Sequence, residues 1–385
     1  MKVSRLFAAF FASEKASGFI LLGCTLFSLS LANSSLADSY FSLWDIRLGG
    51  HPLTHWINDG LMTVFFLLAG LEIERELYAG ELKNIRNALL PVCAAAGGML
   101  VPALIHFSLN RGTAGENGFG IPMATDIAFA SGILSLAGKR VPFALKVFLT
   151  ALAIIDDLGA ILIIAFFYSQ SVSFSNLGIA LGILAVLLLM RRMKVNRLVF
   201  YLLPGIAIWY FMLQSGVHAT ISGVLLAFAI PFEKKEGRSA SGILQQWLHK
   251  PVAFFVVPLF ALANTCIIIS PGILHRLADR NSLGIMAGLV AGKPIGILLF
   301  CWIAVKAGFA GIPNGVSWRH LTATGIIAGV GFTMSIFVTL LAFPDPELIA
   351  VSKIAVLLAS LLASIAGLAL LYFTKLPHNH GLGKR

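Results

Sequence analysis

Residues 151–165 read A-L-A-I-I-D-D-L-G-A-I-L-I-I-A, an apolar stretch with two carboxylates, Asp156 and Asp157, side by side at its centre. They are the only formal charges among the 44 residues from Val147 to Met190. About 20 apolar residues suffice for a helix to cross a bilayer. Hydrocarbon offers the backbone no hydrogen-bond partners, so a lone span must be helical. An ionisable side chain at that depth is costly and marks an ion path or a structural ion pair. Successive residues on a helix lie about 100° apart. The two aspartates are therefore expected to face different ways, one toward an aqueous funnel and the other toward a neighbouring helix.

The rest of the chain is of the same kind. Hydrophobic residues make up 58% and charged residues 12%, with a mean hydropathy of +0.89; a soluble domain is roughly a quarter charged. Apolar stretches recur at about 11–31, 54–73, 88–109, 118–137, 143–168, 175–190, 198–212, 216–231, 251–269, 283–304, 320–343 and 350–373. Alternating ten-residue strands are missing, which disfavours a β-barrel. The expected fold is a single polytopic all-α membrane domain over 1–385 with twelve transmembrane helices. The run after Lys2 and Arg5 is long for a signal peptide and reads as the first span. Cys24, Cys93, Cys266 and Cys301 are scattered through apolar segments with no paired spacing, which fits small core residues better than a disulfide or metal framework.

The net charge of +11 is explained by topology rather than by nucleic acid. With the N-terminus inside, 22 of the 28 lysines and arginines fall on inside segments and five outside. Among the inside residues are Arg191, Arg192, Lys194, Arg197, Lys234, Lys235, Arg238, Lys375, Lys384 and Arg385. That bias orients a membrane protein with both termini in the cytoplasm. The outside stretch 41–56, F-S-L-W-D-I-R-L-G-G-H-P-L-T-H-W, alternates partly around Gly49-Gly50 and is expected to form a β-hairpin.

Lys293, the remaining basic residue, is alone between Arg280 and Lys306, and Asp126 is alone between Glu116 and Lys139. Around Asp126 the sequence is dense in helix-weakening residues: Gly118, Gly120 and Pro122 precede it and Gly132 follows. A second span matches it, with Gly325, Gly329 and Gly331 ahead of Thr333 and Ser335. Each cluster alone is accounted for by close helix packing. As a pair, in the fourth and eleventh spans, they point to interrupted helices in a transporter built from inverted repeats. They lie seven places apart in the order of spans, an odd number, so the three-span units at about 88–168 and 283–373 enter the membrane from opposite sides. Broken helices leave backbone ends of opposite partial charge at mid-membrane, which Asp126 and Lys293 are suited to compensate.

A carboxylate that has released its proton offers hard oxygen ligands to a small cation. Proton and cation then compete for one site, which suffices for coupled exchange if the site opens to one side at a time. Lys293 then serves either as an ion-pair partner or as a carrier of a transported proton. A purely structural network is the bland alternative, but three carboxylates against one lysine leave excess negative charge. An Asp-rich metal-dependent prenyltransferase would need two carboxylate clusters spaced around helical turns, and a cation channel would need no competition with protons.

Together these stretches resemble the NhaA-type Na+/H+ antiporters of bacterial inner membranes, which are inverted-repeat transporters. The matching segments are V-F-F-L-L-A-G-L-E-I-E-R-E-L, I-P-M-A-T-D-I-A-F-A, L-A-I-I-D-D-L-G-A, S-G-V-H-A-T-I-S-G, A-G-K-P-I-G and G-V-G-F-T-M-S-I-F, in order along nearly the whole chain. The resemblance implies a transporter and not an enzyme, without a cofactor. It implies electrogenic exchange of cytoplasmic Na+ or Li+ for protons, activated at alkaline pH, and a homodimer joined partly through the outside hairpin. It implies that Asp157 carries cation and proton with Asp156 beside it, that Thr125 and Asp126 lie at the helix crossing, and that Lys293 partners Asp156. Glu72 and Arg75 would line the cytoplasmic funnel, with His218 and His249 in the pH response. The chain has the non-titrating Gln245 and Gln246 where relatives can carry an acidic residue and a histidine, so alkaline activation is expected to be shifted or weaker.

Overall fold

The computed structural model describes residues 2–168, 172–233 and 239–374. The basic residues Lys234, Lys235, Arg238, Lys375, Lys384 and Arg385 lie outside the described residues. The architecture is helical apart from one small two-stranded sheet. Seven helices are long and apolar enough to cross a membrane: Leu53–Tyr78, Ala88–Asn110, Phe143–Phe167, Phe174–Arg192, Ala240–Asn264, Arg280–Lys306 and Pro346–Phe373. Three bent pairs bring the number to ten if each is one span. The stretches 198–212 and 216–231 coincide with shorter helices, Val199–Gln214 and Ile221–Ala229, of 16 and nine residues.

Both Gly-rich spans are interrupted. In the first, a 3-10 helix at Glu116–Met123 gives way to extended backbone and then to the α-helix Ile127–Leu136, with a bend of 40°. In the second, Trp318–Ala328 and Phe332–Ala342 meet at 44° across residues 329–331. The hairpin is narrower than the expected 41–56. Its strands are Arg47–Leu48 and His51–Pro52, paired antiparallel around Gly49 and Gly50, both at positive φ. Such backbone angles are what a two-residue hairpin turn demands. The flanks are helical instead, with Ala37–Trp44 before and Leu53–His55 after.

The chain divides into two compact units. The first comprises 1–19, 84–156 and 272–385, and so holds both interrupted spans. Within it, helix Ile85–Asn110 packs on Arg280–Lys306 backbone to backbone. A Cβ added to Gly97 would lie 2.1 Å from the Gly296 carbonyl oxygen, and one on Gly296 equally close to that of Gly97. Gly288, Gly292 and Gly296 form a small-residue stripe of the kind that drives helix association in lipid, where the apolar effect between helices is lost. At one end of these helices His106 Nε2 lies 3.2 Å from Asn281 Oδ1, and Asn281 Nδ2 donates to Ser352 Oγ at 2.8 Å.

The second unit comprises 20–83 and 157–271. Its closest contact sets Ile221–Ala229 against Leu53–Tyr78: a Cβ on Gly223 would come 2.3 Å from the Thr63 carbonyl oxygen, and one on Gly70 2.6 Å from the Ala227 methyl. The first helix is tied to Ala240–Asn264 by Ser28 Oγ, which donates to the Leu262 carbonyl at 2.8 Å.

Candidate functional site

The site of the first unit grows out of the two helix breaks. Asp126 is the N-cap of Ile127–Leu136: its Oδ1 accepts the Phe129 N–H at 2.9 Å. Its other oxygen accepts the Thr333 N–H at 3.1 Å and the Thr333 hydroxyl. One carboxylate thus receives amide ends from both half-helices, where peptide dipoles favour an anion. The backbones are also joined directly, since Asp126 N donates to Val330 O at 2.7 Å. Ser335 Oγ donates to Ile121 O at 2.7 Å and adds a further tie between the two interrupted spans.

Lys293 enters from helix Lys293–Lys306, just after a π-helical turn at Gly288–Gly292, a feature that often marks functional positions. Its ammonium is fully buried; it reaches the Met123 carbonyl at the end of the 3-10 half and lies 3.0 Å from Asp156 Oδ2. The same oxygen of Asp156 faces Thr125 Oγ1 at 2.7 Å. That hydroxyl also has the Ala328 carbonyl at 3.1 Å. A hydroxyl carries one proton, so Thr125 can donate to only one of these at a time. Asp156 Oδ1 is buried with no hydrogen-bond partner among the described residues. Asp157 is 2% exposed and follows on the same helix, where the second unit begins.

The structure therefore assembles Thr125, Asp126, Asp156 and Lys293 and adds Thr333, which the sequence showed only as part of a Gly-rich break. The remaining candidates lie in the second unit. Glu72 Oε1 is 4.0 Å from His249 Nδ1, and the Gln245 side chain bonds to Glu72 as well. Arg75 pairs with Glu76, at 3.2 Å. His218 Nε2 lies 2.8 Å from the Tyr168 carbonyl.

Sequence reasoning passed over Glu74. It is fully buried, with Arg191 Nη2 at 2.8 Å from one oxygen and Ser241 Oγ at 3.1 Å from the other. Two residues along a helix turn a side chain to nearly the opposite face, so Glu74 points away from Glu72. The signal available in the sequence was that spacing within L-E-I-E-R-E-L.

Comparison with known proteins is decisive for the family. The profile of the family described as Na+/H+ antiporter 1 matches residues 8–371. The chain belongs to this family, the NhaA antiporters. It is 57% identical over 373 residues to Na(+)/H(+) antiporter NhaA 1 of Flavobacterium johnsoniae, covering 97% of this chain and 98% of the relative. It is likewise 57% identical to NhaA of Cytophaga hutchinsonii, covering 97% of each chain, and 54% identical to NhaA of Dechloromonas aromatica, again covering 97% of each. The protein is thus a multi-pass membrane transporter that exchanges Na+ for H+, and not an enzyme.

Proposed function

We propose that this antiporter is electrogenic, expelling cytoplasmic Na+ or Li+ in exchange for incoming protons by competition at Asp157 and Asp156. It sits in the bacterial inner membrane as twelve spans with both termini cytoplasmic, and it works as a homodimer joined partly at the hairpin. The observation that carries the reading is the buried Lys293–Asp156 ion pair beside two hydrogen-bonded helix breaks, with Asp157 next in the chain.

In the proton-loaded state Asp157 holds a proton and Lys293 neutralises Asp156. A cation arriving from the cytoplasm takes carboxylate oxygens, displaces the Asp157 proton and draws Asp156 away from Lys293. The freed ammonium, no longer paired in a dry site, gives up a proton as well. More protons than cations then cross in each cycle, which makes the exchange electrogenic. The unpartnered Oδ1 of Asp156 is a ligand atom that such a cation could take without breaking an existing hydrogen bond. Asp126 and Thr333 hold the crossing without having to touch the cation.

Glu72, Arg75, His218 and His249 form the pH response in this reading, with Gln245 in contact with Glu72 as the element that weakens it.

The test uses proteoliposomes with an internal pH dye. Added Na+ should collapse an imposed proton gradient, and Asp157→Asn should abolish the response. No proton movement on Na+ addition anywhere between about pH 6.5 and 9 would sink the proposal.

A further inference from the structure

Helix Trp318–Ala328 begins on a capping box whose reciprocal acceptor is an imidazole. Ser317 Oγ accepts from the His320 N–H at 3.4 Å, and His320 Nδ1 accepts from the Ser317 N–H at 3.2 Å. The Ser317 hydroxyl lies 2.8 Å from the same ring nitrogen. Such boxes ordinarily use Glu or Gln at this position, and Gln accepts at any pH. An imidazole accepts at Nδ1 only while that nitrogen keeps its lone pair, which requires the neutral ring with its proton on Nε2.

We propose that Ser317 and His320 form a pH-operated latch on the first half of the second interrupted span. Protonation places an N–H of the ring against the N–H of Ser317, so the backbone arm of the box is lost. It also puts a positive charge in the first turn of a helix, the end at which peptide dipoles disfavour cations. Against this, the Arg140 backbone and the Ser317 hydroxyl can accept from a charged ring, but the nearby charges are all positive. Arg140 lies with its backbone beside the ring and its guanidinium 4.2 Å over the Tyr372 ring, and Arg319 precedes His320 in the chain. Lys306, ending the neighbouring helix, stacks on Trp302 at 4.6 Å. No carboxylate pairs with His320 among the described residues.

The latch reaches the crossing through one uninterrupted helix of 11 residues. That helix ends at Ala328, whose carbonyl faces Thr125 Oγ1, and two residues later Val330 O accepts from Asp126 N. Loosening its start on acidification moves the end that positions Thr125 and Asp126, and exchange falls. This inference rests on the proposed transport reading, in which the 306–319 segment faces the cytoplasm.

His320→Gln keeps the box but removes its titration. In proteoliposomes the variant should match the parent within about twofold at alkaline pH and extend activity to more acidic pH by about half a unit or more. Coincident pH profiles would overturn the latch. Hydrogen exchange of the intact detergent-solubilised parent gives a readout that needs no transport. After correction for intrinsic rates, amides of residues 317–321 should lose about tenfold in protection as acidification charges His320, and the loss should vanish in His320→Gln. Constant protection in the parent refutes the latch even if exchange is absent. Titrating protection in a chain that moves no protons with Na+ would uphold the titrating cap, refute its control of exchange and sink the transport reading.

Discussion

The Asp126 backbone N–H donates to the Val330 carbonyl at 2.7 Å, joining the two helix breaks main chain to main chain. Within the first unit each break thus supplies what the other lacks, a donor on one side and an acceptor on the other. Unpaired backbone groups are expensive in hydrocarbon, so the two interruptions depend on one another. The Asp126 side chain completes the arrangement by accepting from Phe129 and Thr333.

Thr333→Val tests how much of this rests on the hydroxyl. It removes one donor to Asp126 and leaves the Thr333 N–H at 3.1 Å in place. The expected loss is about 1–3 kcal/mol of stability, the cost of weakening a buried hydrogen bond to a charged group. Thermal unfolding in detergent should show it as a lowered midpoint, and an unchanged midpoint would mean that the backbone bonds suffice.

Lys293 and Asp156 should be strongly coupled. Lys293→Met leaves a fully buried carboxylate without its cation and should destabilise by about 3–5 kcal/mol. Adding Asp156→Asn removes the stranded charge, so the double variant should recover much of the loss. A double-mutant cycle on unfolding temperature measures this, and simple additivity of the two single effects would show that the pair is not coupled.

Packing gives a sharper case. A Cβ on Gly296 falls 2.1 Å from the Gly97 carbonyl oxygen, a backbone atom that cannot swing aside. Gly296→Val should force helices Ile85–Asn110 and Arg280–Lys306 apart at a cost above about 3 kcal/mol and sharply reduce the yield of monodisperse protein. Gly178 and Gly182, with nothing within 4 Å of an added Cβ, are the controls that should tolerate Ala. Normal size-exclusion behaviour of Gly296→Val would contradict the close approach.

Gln245→Glu should restore a titrating group against Glu72, near the 4.0 Å Glu72–His249 contact. Neighbouring carboxylates lose their protons in separate macroscopic steps, so the alkaline rise of exchange should move and broaden. The profile of activity against pH in the parent and the variant decides it; coincident profiles would remove Gln245 from the pH response.

Much of this protein could be read locally. Length and hydropathy alone determine that the chain is helical and membrane-embedded, because the cost of an unpaired peptide in lipid depends on no distant residue. The same holds for the isolated charges: Asp126, Asp156, Asp157 and Lys293 stand out because burial penalises a charge whatever its partner. The two Gly-rich breaks were visible because glycine weakens a helix wherever it sits.

Partners are another matter, being set by packing between segments far apart in the chain. Helix geometry turns Asp156 and Asp157 apart, but only the packing of Lys293–Lys306 decides that Lys293 meets Asp156. Thr333 as the second partner of Asp126, the burial of Glu74 against Arg191, and the shrinking of the hairpin to 47–52 were likewise invisible in the residues. Sequence by itself determined where charge and helix breaks enter the membrane, since those energies are local. Tertiary structure decided which charge faces which break, because a buried ion pair has value only at the few ångströms that folding alone can set.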